Sequence, residues 1–125
     1  MNLLLDTHVL LWWLADDASL SPRVREVVAD GENIVFVSAV TVWEIRIKHK
    51  LGKLRIPGNF RQILDGQLFL PLDITAEHAH TVGELPDHHR DPFDRMLLAQ
   101  AAVEKLTVVT ADSQFEPYGL PLIRN

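Results

Sequence analysis

The sequence contains no cysteine. Disulfides, thiolate nucleophiles and sulfur-ligated zinc are excluded together, and any bound metal must be held by oxygen or imidazole. The chain also lacks an apolar run near the roughly 18 residues that a membrane span requires, and its first residues carry neither the basic stretch nor the cleavage site of a secretory signal. The cytoplasm is the expected location, with no membrane partner. Internal repeats, linkers and low-complexity tracts are missing as well. Basic residues are scarce: 12 stand against 17 acidic ones, for a net charge of -5. That balance counts against a nucleic-acid partner, because affinity for phosphate backbones comes from lysine and arginine.

What is present is ordinary globular material. Hydrophobic residues make up 47% of the chain and charged residues 23%, enough apolar content to fold and too little charge for disorder. A length of 125 residues fits one domain, residues 1–125, with one core and one site. The basic residues are unevenly placed. Arg46, Lys48, Lys50, Lys53, Arg55 and Arg61 are six of the twelve, and no Asp or Glu lies between Ile45 and Leu64. Such a segment within an acidic body can form a rim that contacts phosphate, or be a solvated helix end and loop.

Spacing and punctuation predict an alternation of strands and helices. Asn2 to Leu5 reads as a short apolar strand and Thr7 to Ala15 as a helix, with Asp6 at the junction. Ser21 and Pro22 form an N-cap and first helical position, and Gly31 a stop, so a helix spans Pro22 to Asp30. Ile34 to Ser38 is the second strand. Val40, Trp43, Ile47 and Leu51 then follow helical spacing to about Gly52, which places Glu44 in the second turn. A weaker helix around Phe60 to Leu64 and a strand at Leu68 to Leu72 come next. Thr75 caps a helix to about Leu85, and Pro86 to Arg90 is loop. Asp91 and Pro92 open a helix to Glu104, Thr107 to Thr110 is a β-branched strand, Asp112 follows it, and a last strand lies near Leu122. This order implies an α/β fold in which a parallel sheet carries helices on both faces.

Ligands of such sheets bind outside the carboxyl ends of the strands, where Asp6 and Asp112 stand. Taken singly, each acid has a local role: Asp6, Asp91 and Asp112 can cap helices, and Asp94 favours a helix dipole. Glu44 sits among Val42, Trp43 and Ile45, where the plainer alternative is a solvated glutamate paired with Lys48. Gathered at one sheet edge, these carboxylates would repel unless a cation lay among them. An all-oxygen set suits Mg²⁺ (or Mn²⁺), and such ions bind phosphate oxygens. The expected chemistry is therefore phosphodiester hydrolysis by a metal-activated water.

The segments LLLDTHVLLWWL (3–14), SAVTVWEIRIKHKLGKL (38–54), HHRDPFDRMLLAQA (88–101) and VVTADSQF (108–115) together resemble the PIN domains, and among them the VapC-type toxins of toxin–antitoxin pairs. The resemblance implies a three-layer α/β/α sandwich around a parallel sheet, and metal-binding acids at Asp6, Glu44, Asp94 and Asp112. Asp91 is an open fifth. It further implies Mg²⁺-dependent endoribonuclease activity on RNA, a homodimer, and inhibition by a VapB-like antitoxin. The alternative is a PIN-like RNA-binding or scaffold module without catalysis, against which the intact four-acid set argues.

Thr7, Ser38, Thr110 and Ser113 lie beside these acids and can orient a ligand or a carboxylate, or merely cap locally. Arg95 can contact substrate phosphate or pair with an acid. The pairs His78/His80 and His88/His89 invite a zinc or general-base reading, but spacing two on a helix separates the first pair. His8 at a helix start reads as packing or solvated. Trp12, Trp13 and Trp43 read as core or subunit interface. A phospho-acceptor signalling domain also uses acids at strand ends, yet Pro71 and Leu72 stand where its acceptor aspartate belongs.

Overall fold

Leu3, Leu4 and Leu5 are all fully buried, yet they face opposite ways, because successive side chains of a strand alternate across the sheet. Leu3 and Leu5 pack into one apolar layer and Leu4 into the other. A strand buried on both faces is the mark of a parallel sheet covered by helices. The computed structural model, which describes residues 1–125, has that architecture. Strands β1 (Asn2–Leu5), β2 (Ile34–Ser38), β3 (Leu70–Leu72), β4 (Thr107–Thr110) and β5 (Leu122–Arg124) form one sheet in the order β3-β2-β1-β4-β5. All neighbouring pairs are parallel, with Leu3 opposite both Val35 and Thr107.

Six α-helices connect them: α1 (Thr7–Leu14), α2 (Pro22–Ala29), α3 (Ala39–Lys50), α4 (Phe60–Asp65), α5 (Ala76–Val82) and α6 (Pro92–Glu104). Val9, Leu10, Val24, Val28 and Phe60 bring α1, α2 and α4 against the Leu3 and Leu5 side. Leu97, Leu98 and Ala101 bring α6 against Leu4 and Val108. Each such leucine contributes about 1.5–3 kcal/mol by leaving water. Helix α3 contributes to both layers, with Val40 in one and Ile45 in the other. No helix is long and apolar enough to cross a membrane.

The expected elements are found, with three adjustments. Strand β3 starts at Leu70 because only Leu70, Pro71 and Leu72 find partners in β2, and Leu68 is exposed. Pro71 has no N–H to give, which an edge strand tolerates. Helix α5 ends at Val82, where Gly83 takes the C-cap. A 3₁₀ helix, Ser113–Tyr118, follows β4 and is capped by Asp112, a capping role expected of Asp112, though no helix was expected after it. The order of strands reverses between β1 and β4, the position at which open parallel sheets present a crevice.

Candidate active site

Asp6 leaves β1 at that crevice and starts α1. Its Oδ1 accepts from Val9 N at 2.8 Å, filling one of the donors a helix N-terminus leaves free. Its Oδ2 accepts from Thr110 Oγ1 across the chain. Thr110 Oγ1 also accepts from Asp112 N at 2.9 Å, so one hydroxyl ties together the acids that follow β1 and β4. Asp112 in turn caps the 3₁₀ helix through Gln114 N at 2.9 Å. Burial lifts the Asp6 carboxyl above its ordinary value, against the hydrogen bonds from Thr110 and Val9 that act in the other direction.

Glu44 is 3% exposed, so the solvated alternative does not hold. Its pairing with Lys48 does. Oε2 takes the Lys48 ammonium one helical turn away, and Oε1 accepts from Thr7 Oγ1 at 2.6 Å. The contact with Glu44 raises the Lys48 pKa, with burial opposing it, and the charges of Asp91 and Asp94 add to the rise. Lys48 is thus the side-chain cation of this acidic region. The sequence placed it in the basic segment and as the partner of Glu44, four residues on; only the fold shows it serving the other acids too.

Asp94 lies in the first turn of α6. Its carboxyl is pushed up to about 8, first by burial and then by the negative charges of Asp91, Glu44, Asp112 and Asp6. Such a shift reports several like charges near one partly buried group. Asp91 caps α6, its Oδ1 accepting from Phe93 N at 2.9 Å and Asp94 N at 3.0 Å.

The other named residues divide. Thr7 and Thr110 hold acids, as above. Ser38 caps α3 through Val40 N and donates to Gln100 Oε1 at 2.6 Å, touching no acid of the cluster. Ser113 is exposed. Arg95 turns to the preceding loop, where its guanidinium reaches the carbonyl oxygens of Val82, Leu85, Pro86 and His89 and the Tyr118 hydroxyl. His78 closes a capping box with Thr75. His89, unlike the other histidines, stands 3.4 Å from Asp94 Oδ2. The sequence marked it only as half of the His88/His89 pair, with a zinc or general-base reading and no link to Asp94. Trp12 and Trp13 pack against the core, whereas Trp43 is exposed.

The donor set is carboxylate and hydroxyl oxygen, the chemistry that hard divalent ions accept, and the raised Asp94 pKa reports negative charge that a cation would neutralise. As the side chains lie, no three acidic or histidine groups converge closely enough to hold an ion. The hydrogen bonds give the reason: Glu44 is drawn to Thr7 and Lys48, Asp6 to Thr110 and Val9, and Asp112 to Gln114.

Comparison with known proteins follows the same lines. The family model described as "PIN domain" matches residues 3–119. Ribonuclease VapC22 of Mycobacterium tuberculosis is 25% identical over 135 residues, which span 96% of this chain and 94% of that protein. Two solved structures share the fold at a TM-score of 0.75. The VapBC2 complex of Rickettsia felis bound to promoter DNA is 18% identical and covers 100% of this chain and 99% of its own. The DNA-bound VapBC of Salmonella typhimurium is 19% identical, over 99% and 98%.

Proposed function

This chain belongs to the PIN domain family, and from that premise we propose that it is a Mg²⁺-dependent endoribonuclease, the toxin of a toxin–antitoxin pair. The observation that carries the reading is Asp94, whose carboxyl is raised to about 8 by burial and by four surrounding acids. Asp6, Glu44, Asp94 and Asp112 are the residues that would hold Mg²⁺ (or Mn²⁺). Such an ion activates water and neutralises charge building on the phosphate oxygens. Thr7 and Thr110 fix the carboxylates of Glu44 and Asp6 in place. Lys48 neutralises Glu44, and with a divalent ion bound among the acids its ammonium would stand beside them, placed to meet an RNA phosphate. Arg46, Lys50, Lys53 and Arg55 are exposed on the same segment, a rim for the flanking backbone.

The partner reading rests on apolar surface. Beside α3 runs a groove of about 470 Å³ lined by Val42, Trp43, Leu64, Phe69 and Leu70 among others. Trp43, adjacent to Glu44 in sequence, is 58% exposed. A cognate VapB-like antitoxin that folds on binding would lay apolar side chains there and present an arginine to the acids. The toxin itself would act as a homodimer in the cytoplasm, which light scattering and cell fractionation can check.

The test is cleavage of total RNA by the purified chain and by Asp6→Asn, with Mg²⁺ and with excess EDTA, alongside coexpression with the small open reading frame adjoining the gene. Cleavage that needs Mg²⁺ and Asp6, and that the neighbouring product suppresses, is expected. An RNA-binding wild type that cleaves no better than Asp6→Asn would favour the scaffold reading instead.

A further inference from the structure

His89 occupies the loop before α6, two residues ahead of the capping Asp91, and its side chain is 8% exposed. Its two ring nitrogens have different surroundings. Nε2 is buried without a hydrogen-bond partner and lies 3.4 Å from Asp94 Oδ2. Nδ1 lies 2.7 Å from the Tyr118 hydroxyl. That hydroxyl also receives His89 N at 3.3 Å and Arg95 Nη1 at 3.2 Å. A backbone amide and a guanidinium can only donate, and a phenol has one proton and two lone pairs. With both lone pairs engaged, the Tyr118 proton goes to Nδ1. Nδ1 is therefore an acceptor, and the ring proton sits on Nε2, the atom that faces Asp94.

We propose that His89, set in its Nε2–H tautomer by Tyr118, is a positioning residue for Asp94. This rests on the reading of the acids as a cation site. The neutral imidazole turns its one N–H toward Oδ2 at 3.4 Å, an arrangement that biases a ligating carboxylate to one orientation. Arg95 serves the same assembly. Its side chain is 12% exposed, and its bonds to four carbonyl oxygens of the Val82 to His89 stretch and to Tyr118 fasten the histidine's loop to the 3₁₀ helix. Phe115 and Tyr118 flank the imidazole, with ring centroids at 6.2 and 5.4 Å, so the ring has little room to turn.

The experiment compares the wild type with His89→Ala, His89→Gln and Tyr118→Phe. Histidine ¹⁵N NMR reads the tautomer, Mn²⁺ titration followed by electron paramagnetic resonance reads the affinity for the ion alone, and RNA cleavage gives kcat and KM. His89 should show Nε2–H in the wild type and a mixture of tautomers in Tyr118→Phe. His89→Ala should weaken Mn²⁺ binding and lower kcat by roughly 10-fold, within the range for partners of metal ligands, while KM for RNA stays put. His89→Gln, whose amide nitrogen can stand near the place of Nε2, should recover most of that loss. A Nδ1–H tautomer in the wild type overturns the proposal. So does a folded His89→Ala that binds Mn²⁺ like the wild type, or a His89→Gln no better than the alanine. If His89→Ala does not fold, Tyr118→Phe and His89→Gln decide the matter. A wild type that binds no Mn²⁺ overturns the proposal and the cation-site reading together, whereas Mn²⁺ binding that ignores His89 removes the proposal alone.

Discussion

Asp6 uses one carboxylate oxygen to cap α1 and the other to meet Thr110, and the two uses can be separated by substitution. Asparagine retains an oxygen to cap with but loses the charge, whereas alanine loses both. Asp6→Asn should therefore reduce RNA cleavage by on the order of 100-fold or more, as loss of a charged metal ligand does, without destabilising the metal-free protein. Asp6→Ala should cost a further ~1 kcal/mol of stability through the lost cap. Glu44→Gln and Asp94→Asn should lose cleavage as Asp6→Asn does. Removing Asp94, a carboxylate repelled by its neighbours, leaves a metal-free chain at least as stable as before, whereas Glu44→Gln also gives up the ion pair with Lys48 and should lower stability. Paired cleavage assays and thermal melts check this, and wild-type rates in any two of the three variants would dismiss the assignment of these acids.

Helix α6 shows how an element's ends decide what its first turn can do. Pro92 sits at the first position, Asp91 caps through two backbone N–H groups, and Asp94 follows in the same turn. Asp91 acts as a cap whose charge is also felt by Asp94. Asp91→Ala should lower stability by about 1 kcal/mol, while Asp91→Asn keeps the cap and leaves cleavage within a few-fold of the wild type. A loss in Asp91→Asn as large as in Asp94→Asn would make Asp91 a fifth ligand. The other end of α6 is less well made. Lys105 takes the left-handed conformation, φ 56 and ψ 51, which the side chain of an L-residue resists by roughly 1 kcal/mol and glycine does not. Lys105→Gly should raise the urea midpoint by an equivalent of about 0.5 kcal/mol, since glycine's looser unfolded chain takes back part of the gain.

Over the whole molecule, the raised pKa values of Asp94 and Asp6 link stability to pH. Asp94 rises from an ordinary 3.8 to about 8 on folding, and Asp6 moves in the same direction. The folded state thus binds protons more tightly than the unfolded one. The stability that follows is fully present below about pH 4 and is lost as pH rises toward 8. The metal-free chain should show a falling Tm between about pH 5.5 and pH 8. Mg²⁺ should oppose the fall, because it needs the ionised carboxylates and displaces their protons. Its stabilising effect should accordingly grow with pH. Calorimetric melts with and without Mg²⁺ check this, and a Mg²⁺ effect equal at both pH values would contradict it.

The sequence by itself determined the order and type of the elements, because those depend on interactions within a few residues. Ser21 before Pro22, Thr75 ahead of α5 and Asp91 before Pro92 state their helices locally, and the β-branched run Thr107–Thr110 states its strand. The acids after β1 and β4 were legible for the same reason, since a strand end and a helix start are both written nearby. Tertiary structure decided which side chains meet. Thr110 and Asp6 are 104 residues apart, Thr7 and Glu44 37, and Tyr118 and His89 29. No periodicity encodes such pairs, because they exist only once the strand order β2-β1-β4 brings separate strand ends to one edge. That is why Arg95, read from its neighbours as a phosphate contact or a partner of an acid, pairs with Asp87 rather than with an acid of the cluster and clasps its own loop. It is also why His89, read from the sequence only as half of a histidine pair, lies against Asp94.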